Sequence, residues 1–347
     1  MKHFVGLDVS LKEVSICVVD GEGRPVAEGK VATEPESILS WITDRIGSVE
    51  RIVHESGPLS IWLTRELCGR GAPVVCIDAR AAHKALSARM NKSDRADAEA
   101  LAQLARTGWY REVYIKSEAS DRLRLLLGAR DRMIRIRQDI EAQARGVLKT
   151  YGIRLGCVTQ GRNRGSFRDQ LAAAAAGDPI LEAVTASLIA VHDVVCAEAA
   201  AIQDELLAIA RDSSLARRLM TVPGVGPIVA LNFIAAIDDV GRFAKATDVG
   251  AYLGLTPRRY QSGEIDYSGR ISKRGDGAMR SLLYEAASVL ITRVRRFSPL
   301  KSWAMRLAAR KGFKKAAVAT ARKIAVVMLR LWRDGTTFAW TKEELPA

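Results

Sequence analysis

Residues 4–21 read FVGLDVSLKEVSICVVDG, a β-hairpin pattern ending in the turn dipeptide Asp20-Gly21. Working outward, GRPVAEGKVA (23–32) reads as a third strand, PESILSWITDRIG (35–47) as a helix, and ERIVHESG (50–57) as a short apolar strand. A helix at SIWLTRELCGRG (60–71), a strand at APVVCIDA (72–79) and a helix at SDRADAEALAQLART (93–107) follow. Three antiparallel strands and then alternating helix and strand is the order of an RNase H-like α/β domain.

The chain has 347 residues, 48% of them hydrophobic and 27% charged, enough for two or three domains with cores of their own. Lys and Arg number 53 against 39 Asp and Glu, a net charge of +14, so a polyanion is the expected partner and nucleic acid the first candidate. A membrane partner is not expected, because no run of about 18 apolar residues occurs and the basic residues are dispersed. The N-terminus enters a strand pattern at once, which reads as a cytoplasmic protein without a leader. Cys17, Cys68, Cys76, Cys157 and Cys196 are odd in number and form no C-x-x-C, so buried, reduced thiols are expected rather than disulfides or zinc.

From about 118 to 212 the pattern is wholly helical. Leu126, Met133, Ile140 and Val147 fall seven apart, as do Leu181, Leu188, Val195, Ile202 and Ile209, which suggests an antiparallel coiled-coil arm or an oligomerising surface beside the plainer reading of a helical bundle. GCVTQGRNRGSFRDQ (156–170) between them reads as a polar loop and LAAAAAG (171–177) as helix-prone. From 213 a helical domain is expected, interrupted by a glycine-rich, strand-poor stretch at 250–277. MTVPGVGPIVALNFIAAI (220–237) has the look of a helix-hairpin-helix, whose Gly224 and Gly226 open a helix start able to hold a phosphate.

Four acids stand out. Asp8 and Glu55 sit in or at the end of apolar strands, where a charge needs a partner. Asp94 and Asp97, three apart, share a helix face. If they converge, a cation must neutralise them, and oxygen-only ligands favour Mg²⁺ or Mn²⁺. Ser262, in RRYQSGEIDYSGRISKRG (258–275), is either a Ser-Gly turn residue or a nucleophile; His3, His54, His83 and His192 all lie far from it in sequence, so no histidine base is at hand. Arg258, Arg259, Arg270, Lys273, Arg274 and Arg280 around it are candidates for holding phosphates.

GLDVS, HESG and KSDRADAEALA, together with VPGVGPIVALNFIAAI, RFAKATDVGAYLGLTPRRYQSGE and SGRISKRGDGAMRSLLYEAA, resemble in this order the DEDD-type transposases and site-specific recombinases of the insertion sequence one-ten family, the Piv/MooV-like enzymes. The resemblance implies three parts: a RuvC-like domain over 1–117, a helical coiled-coil region over 118–212 and a C-terminal helical transposase domain over 213–347. It also implies Mg²⁺ held by Asp8, Glu55, Asp94 and Asp97, and attack by Ser262 on a DNA phosphate to give a phosphoserine intermediate. Double-stranded donor and target DNA, a non-coding bridge RNA, and a homodimer or homotetramer are the implied partners. A metal-dependent Holliday-junction-type nuclease using water as nucleophile is the alternative. An actin-like ATPase also opens with Gly-x-Asp but needs further phosphate and adenosine motifs that are not found in place.

Overall fold

The computed structural model describes residues 2–80, 93–155 and 164–341. Strands β1 (Phe4–Val9), β2 (Glu13–Val19) and β3 (Pro25–Ala32) form an antiparallel meander; β4 (Arg51–Glu55) and β5 (Val74–Ile77) add in parallel on the other side of β1, giving the order β3-β2-β1-β4-β5. This is the connectivity expected of an RNase H-like domain.

Alternation along the strands decides which helix covers which face. Val5, Leu7, Ile16 and Ile52 point to one side and pack with Ile38 and Trp41 of α1 (Pro35–Ile46) and Leu63 and Leu67 of α2 (Ser60–Gly69). Phe4, Cys17, Val53 and Ile77 point to the other and pack with Ala98, Leu101, Ala102 and Ala105 of α3 (Asp94–Thr107). Helix α3 is punctuated at both ends: the Ser93 hydroxyl accepts from the Ala96 amide, and Gly108 closes it at φ 69°. Its small Ala face lies so close over β1 that a Cβ on Gly6 would stand 2.1 Å from the Ala98 carbonyl oxygen.

Two compact units result, Met1–Lys116 and Ser117–Ala347. In the second, α4 (Glu118–Thr150), α5 (Arg164–Ala175) and α6 (Pro179–Asp212) precede α7 (Ser214–Leu219) and α8 (Pro227–Ile237). The start of α4 (Leu127) shares a core with the end of α6 (Leu206, Ala210), and the end of α4 (Leu148) packs near Leu188 at the start of α6, so the two long helices run antiparallel. Leu181, Thr185, His192, Val195 and Leu206 are the buried seam of α6. The seam is not wholly apolar: the buried Glu141 carboxylate lies 3.4 Å from His192 Nε2 and 3.5 Å from both Arg137 and Arg145.

Residues 118–212 lie in one compact unit with 213–347, where Leu127, Leu206 and Ala210 complete the core built by α8, α10 (Gly277–Thr292) and α12 (Phe313–Asp334). Other expectations are corrected here. The supposedly strand-poor stretch carries a hairpin, β6 (Pro257–Ser262) and β7 (Ile265–Ile271), after the short helix α9 (Val249–Tyr252). Its polar alternation gave no apolar strand signal. By length and composition α6 is long and apolar enough to cross a membrane, more than the sequence reading allowed. Cys17 and Cys76 are buried, with burial pushing the Cys76 thiol up to about 11, but Cys68 is exposed. Cys157, His83 and residues 156–163 of the expected polar loop lie outside the described residues.

Buried His54 supports the opposite face of β4. Thr64 Oγ1 donates to the Ser60 carbonyl at 2.6 Å, so its lone pair is left to accept from His54 Nε2 at 2.9 Å. The other ring nitrogen faces the Glu55 carbonyl at 3.1 Å, which favours protonation, yet burial dominates and holds the imidazole below its ordinary value of 6.5. The unfolded chain therefore binds the extra proton first as pH falls through about 6.5, and stability is lost on acidification from there toward the lower folded value. The slope is at most about 1.4 kcal/mol per pH unit. Thermal melts between pH 7.5 and 5.5 should fall more steeply for the wild type than for His54→Gln; equal slopes would remove His54 as the cause.

Candidate active site

Register brings the strand acids together. Leu7 stands opposite His54 in the parallel β1–β4 pair, so Asp8 and Glu55 occupy the next rung, at the carboxyl ends of adjacent strands. Both fall on the face covered by α3, in step with Phe4, Gly6 and Val53, and both are half-buried. Helix α3 runs back along this face: Arg51, at the start of β4, donates to the Ala105 carbonyl near the end of α3, and Gly6 meets Ala98. Its first turn, carrying Asp94 and half-buried Asp97, is thereby directed to the same edge as Asp8 and Glu55.

Sequence reading missed a cation at this edge. Asp8 pairs with Ser15 on β2, and Ser15 with Lys30 on β3. The Lys30 ammonium lies 2.9 Å from Asp94 Oδ2; that hydrogen bond, more than any other effect, raises the lysine and lowers the aspartate, with Asp8 adding attraction to Lys30. Strand alternation in VAEGKVA was the signal that could have found Lys30 on the acidic face. Among the described residues, no group of three or more His, Cys, Asp or Glu side chains is arranged to hold a metal ion as it stands. Of the four acids Asp8, Glu55 and Asp97 are half-buried and Asp94 is exposed, and their carboxylate oxygens are hard donors of the kind a divalent cation takes.

In the second unit Ser262 is the last residue of β6, exposed and paired with Ile265 across a two-residue loop. Gly263 takes φ +55°, the sign a tight hairpin demands at its first loop position. The stacked rings of Tyr260 and Tyr267, 5.0 Å apart, brace the hairpin.

The basic candidates fare differently. Arg259 is clasped by Asp266, with Nε 2.8 Å from Oδ1, and Arg258 donates to the Ser272 carbonyl at 3.1 Å. Arg280 donates to the carbonyls of Leu253, Arg274 and Gly275, which ties down the base of the hairpin. Gly224 packs against α10, where a Cβ would stand 2.3 Å from the Ala286 oxygen, while Gly226 caps α8 ahead of Pro227. Arg274 is exposed, and Arg270 and Lys273 line a large groove with α12. The cations of α12 were missed, although Lys315, Arg322 and Arg330, spaced seven and eight apart, are a one-face stripe legible in FKKAAVATARKIAVVMLRLWR.

Residues 5–153 match a transposase model of the DEDD type associated with IS110, and residues 216–301 match that of the transposase IS116/IS110/IS902 family. The chain belongs to the IS110-type insertion-sequence transposase family. It is 28% identical over 344 residues to the transposase for insertion sequence element IS1111A of Coxiella burnetii, covering 96% of this chain and 90% of that protein. It is also 28% identical to the transposase for insertion sequence element IS1328 of Yersinia enterocolitica, over 72% of this chain and 75% of that one. A Thermus thermophilus RuvC structure aligns with 32% of this transposase-family chain and 99% of its own at TM-score 0.25 and 17% identity, a likeness too slight to bear on function.

Proposed function

We propose that this transposase-family chain cuts and exchanges double-stranded donor and target DNA, with Ser262 as nucleophile and Asp8, Glu55, Asp94 and Asp97 as the acidic residues that hold a divalent ion. The register of β1 and β4, with α3 seated at Gly6, is the observation that carries this reading, because it turns four acids far apart in sequence toward one sheet edge. When bound, Mg²⁺ or Mn²⁺ would polarise the phosphodiester and stabilise charge on the departing oxygen.

Ser262 Oγ forms a new P–O ester as one DNA P–O bond breaks, and the released sugar oxygen takes up a proton; strand exchange reverses this on the second DNA. Exposure at a hairpin end leaves the hydroxyl open to a phosphate approaching from solvent. The net charge of +14 supports a polyanionic partner, and a non-coding bridge RNA as guide rests on the family resemblance. Self-association is supported by Ile180, Val184, Val191 and Val194, an exposed apolar stripe on α6.

A plasmid excision assay with denaturing gels tests the reading. Ser262→Ala should give neither recombined product nor protein–DNA adduct. Cleavage that persists in the variant with no adduct would transfer the nucleophile's role to water, as in a junction nuclease.

A further inference from the structure

Helix α12 presents one face to the core through Ala317, Ala321, Ile324 and Met328, and a second face to a groove of about 1340 Å³. The base of the β6–β7 hairpin and α11 (Pro299–Lys311) supply the other walls. That volume exceeds the range of about 300–1,000 Å³ usual for a small-molecule site, which points to a polymer.

Its chemistry is two-sided. Lys314, Lys315, Arg322, Lys323 and Arg330 of α12 line it, joined by Arg270 and Lys273 from the hairpin side, and no carboxylate is among the described lining residues. Beneath these cations lie half-buried apolar side chains, Leu300, Val318, Val326 and Val327, with the Trp303 indole whose ring has the Lys323 ammonium 3.8 Å from its centroid. Along the helix, Lys315, Arg322 and Arg330 recur roughly every 10–12 Å.

We propose that this groove binds a single strand of DNA, its phosphates along the α12 cations and its bases against the apolar floor around Trp303. A duplex would offer the groove phosphates but leave the apolar floor without a partner, because its bases are stacked inside; an unpaired strand offers both. Thr247 is the sole neutral hydroxyl or amide side chain in the described lining, so little is present to read a ribose 2′-hydroxyl, which favours DNA over RNA. The choice of DNA among polyanions rests on the recombinase reading above. Strand exchange frees such a strand whenever a duplex end is opened.

The test is fluorescence anisotropy on the full chain with labelled dT, rU and duplex oligonucleotides of equal length, across a salt series. The wild type should bind the dT strand most tightly. Lys315→Glu with Arg330→Glu, both exposed positions, should weaken it at least tenfold and make the slope of log K against log salt shallower by about 1.4, near 0.7 per lost phosphate contact. Trp303→Leu should weaken dT binding about tenfold with the salt slope unchanged; circular dichroism checks that each variant is folded. A double variant that is folded and binds dT like the wild type overturns the groove alone and leaves the recombinase reading standing. Tighter binding of rU or duplex, lost in the double variant, overturns the assignment to single-stranded DNA. A wild type that binds none of the three oligonucleotides overturns both readings.

Discussion

Asp8→Asn should lower strand exchange by about 10³-fold or more while the N-terminal unit stays folded. On the proposed metal-holding role of Asp8, the size follows from removing one oxygen ligand of a cation that would contribute several kcal/mol, each 1.36 kcal/mol being tenfold in rate. The fold should tolerate the change because Asp8 lies at the strand end, half-buried and facing other acids, outside the tightly packed rungs of Val5 and Leu7. Loss of its attraction to Lys30 is offset by relief of like charge next to Glu55. The separating measurement is the thermal midpoint with and without Mg²⁺. A ligand at a hundred times its Kd stabilises by about 2.7 kcal/mol, so the wild-type unit should melt higher with Mg²⁺ and the variant should not. An undiminished Mg²⁺ response in Asp8→Asn would remove Asp8 from the metal-holding set.

Two residues earlier on the same strand face, Gly6→Ala should destabilise the N-terminal unit by about 3 kcal/mol and lower its melting temperature by roughly 10 °C or more. The added Cβ would lie 2.1 Å from the Ala98 oxygen and 2.3 Å from the Ala102 nitrogen, both backbone atoms of α3 that no side-chain rotation can clear. Relief requires moving the helix, which also moves Asp94 and Asp97, so strand exchange falls with stability. Gly57→Ala, whose Cβ meets nothing within 4 Å, is the control and should change the melt little. A Gly6→Ala melt equal to that of Gly57→Ala would refute the close approach.

Much of the N-terminal unit was legible. Apolar β runs broken by turn signals located all five strands, and the helical pattern over 93–107 located α3, because strand alternation and helix periodicity are local effects. The β6–β7 hairpin was missed for the converse reason: exposed at every position but Ile271, its residues follow no burial pattern, and it is held by Tyr260 on Tyr267 and Arg259 on Asp266, pairs that exist only once the strands meet. The helical character of α4 and α6 was visible, but of the residues read seven apart only Ile140, Leu181 and Val195 are buried, and the Glu141–His192 contact was out of reach since it joins positions 51 apart.

The sequence by itself determined the elements of the first unit, the acidic residues worth watching, the basic character and the family, since these rest on local periodicity, residue chemistry and motif order. Tertiary structure alone decided that Lys30 faces Asp94, that Arg280 secures a hairpin base instead of lying open, and that the cations of α12 line one groove. The physical reason is that charge and hydrogen-bond partners are set by distance in space, which strand register and helix packing fix across dozens of residues and no short window of sequence records.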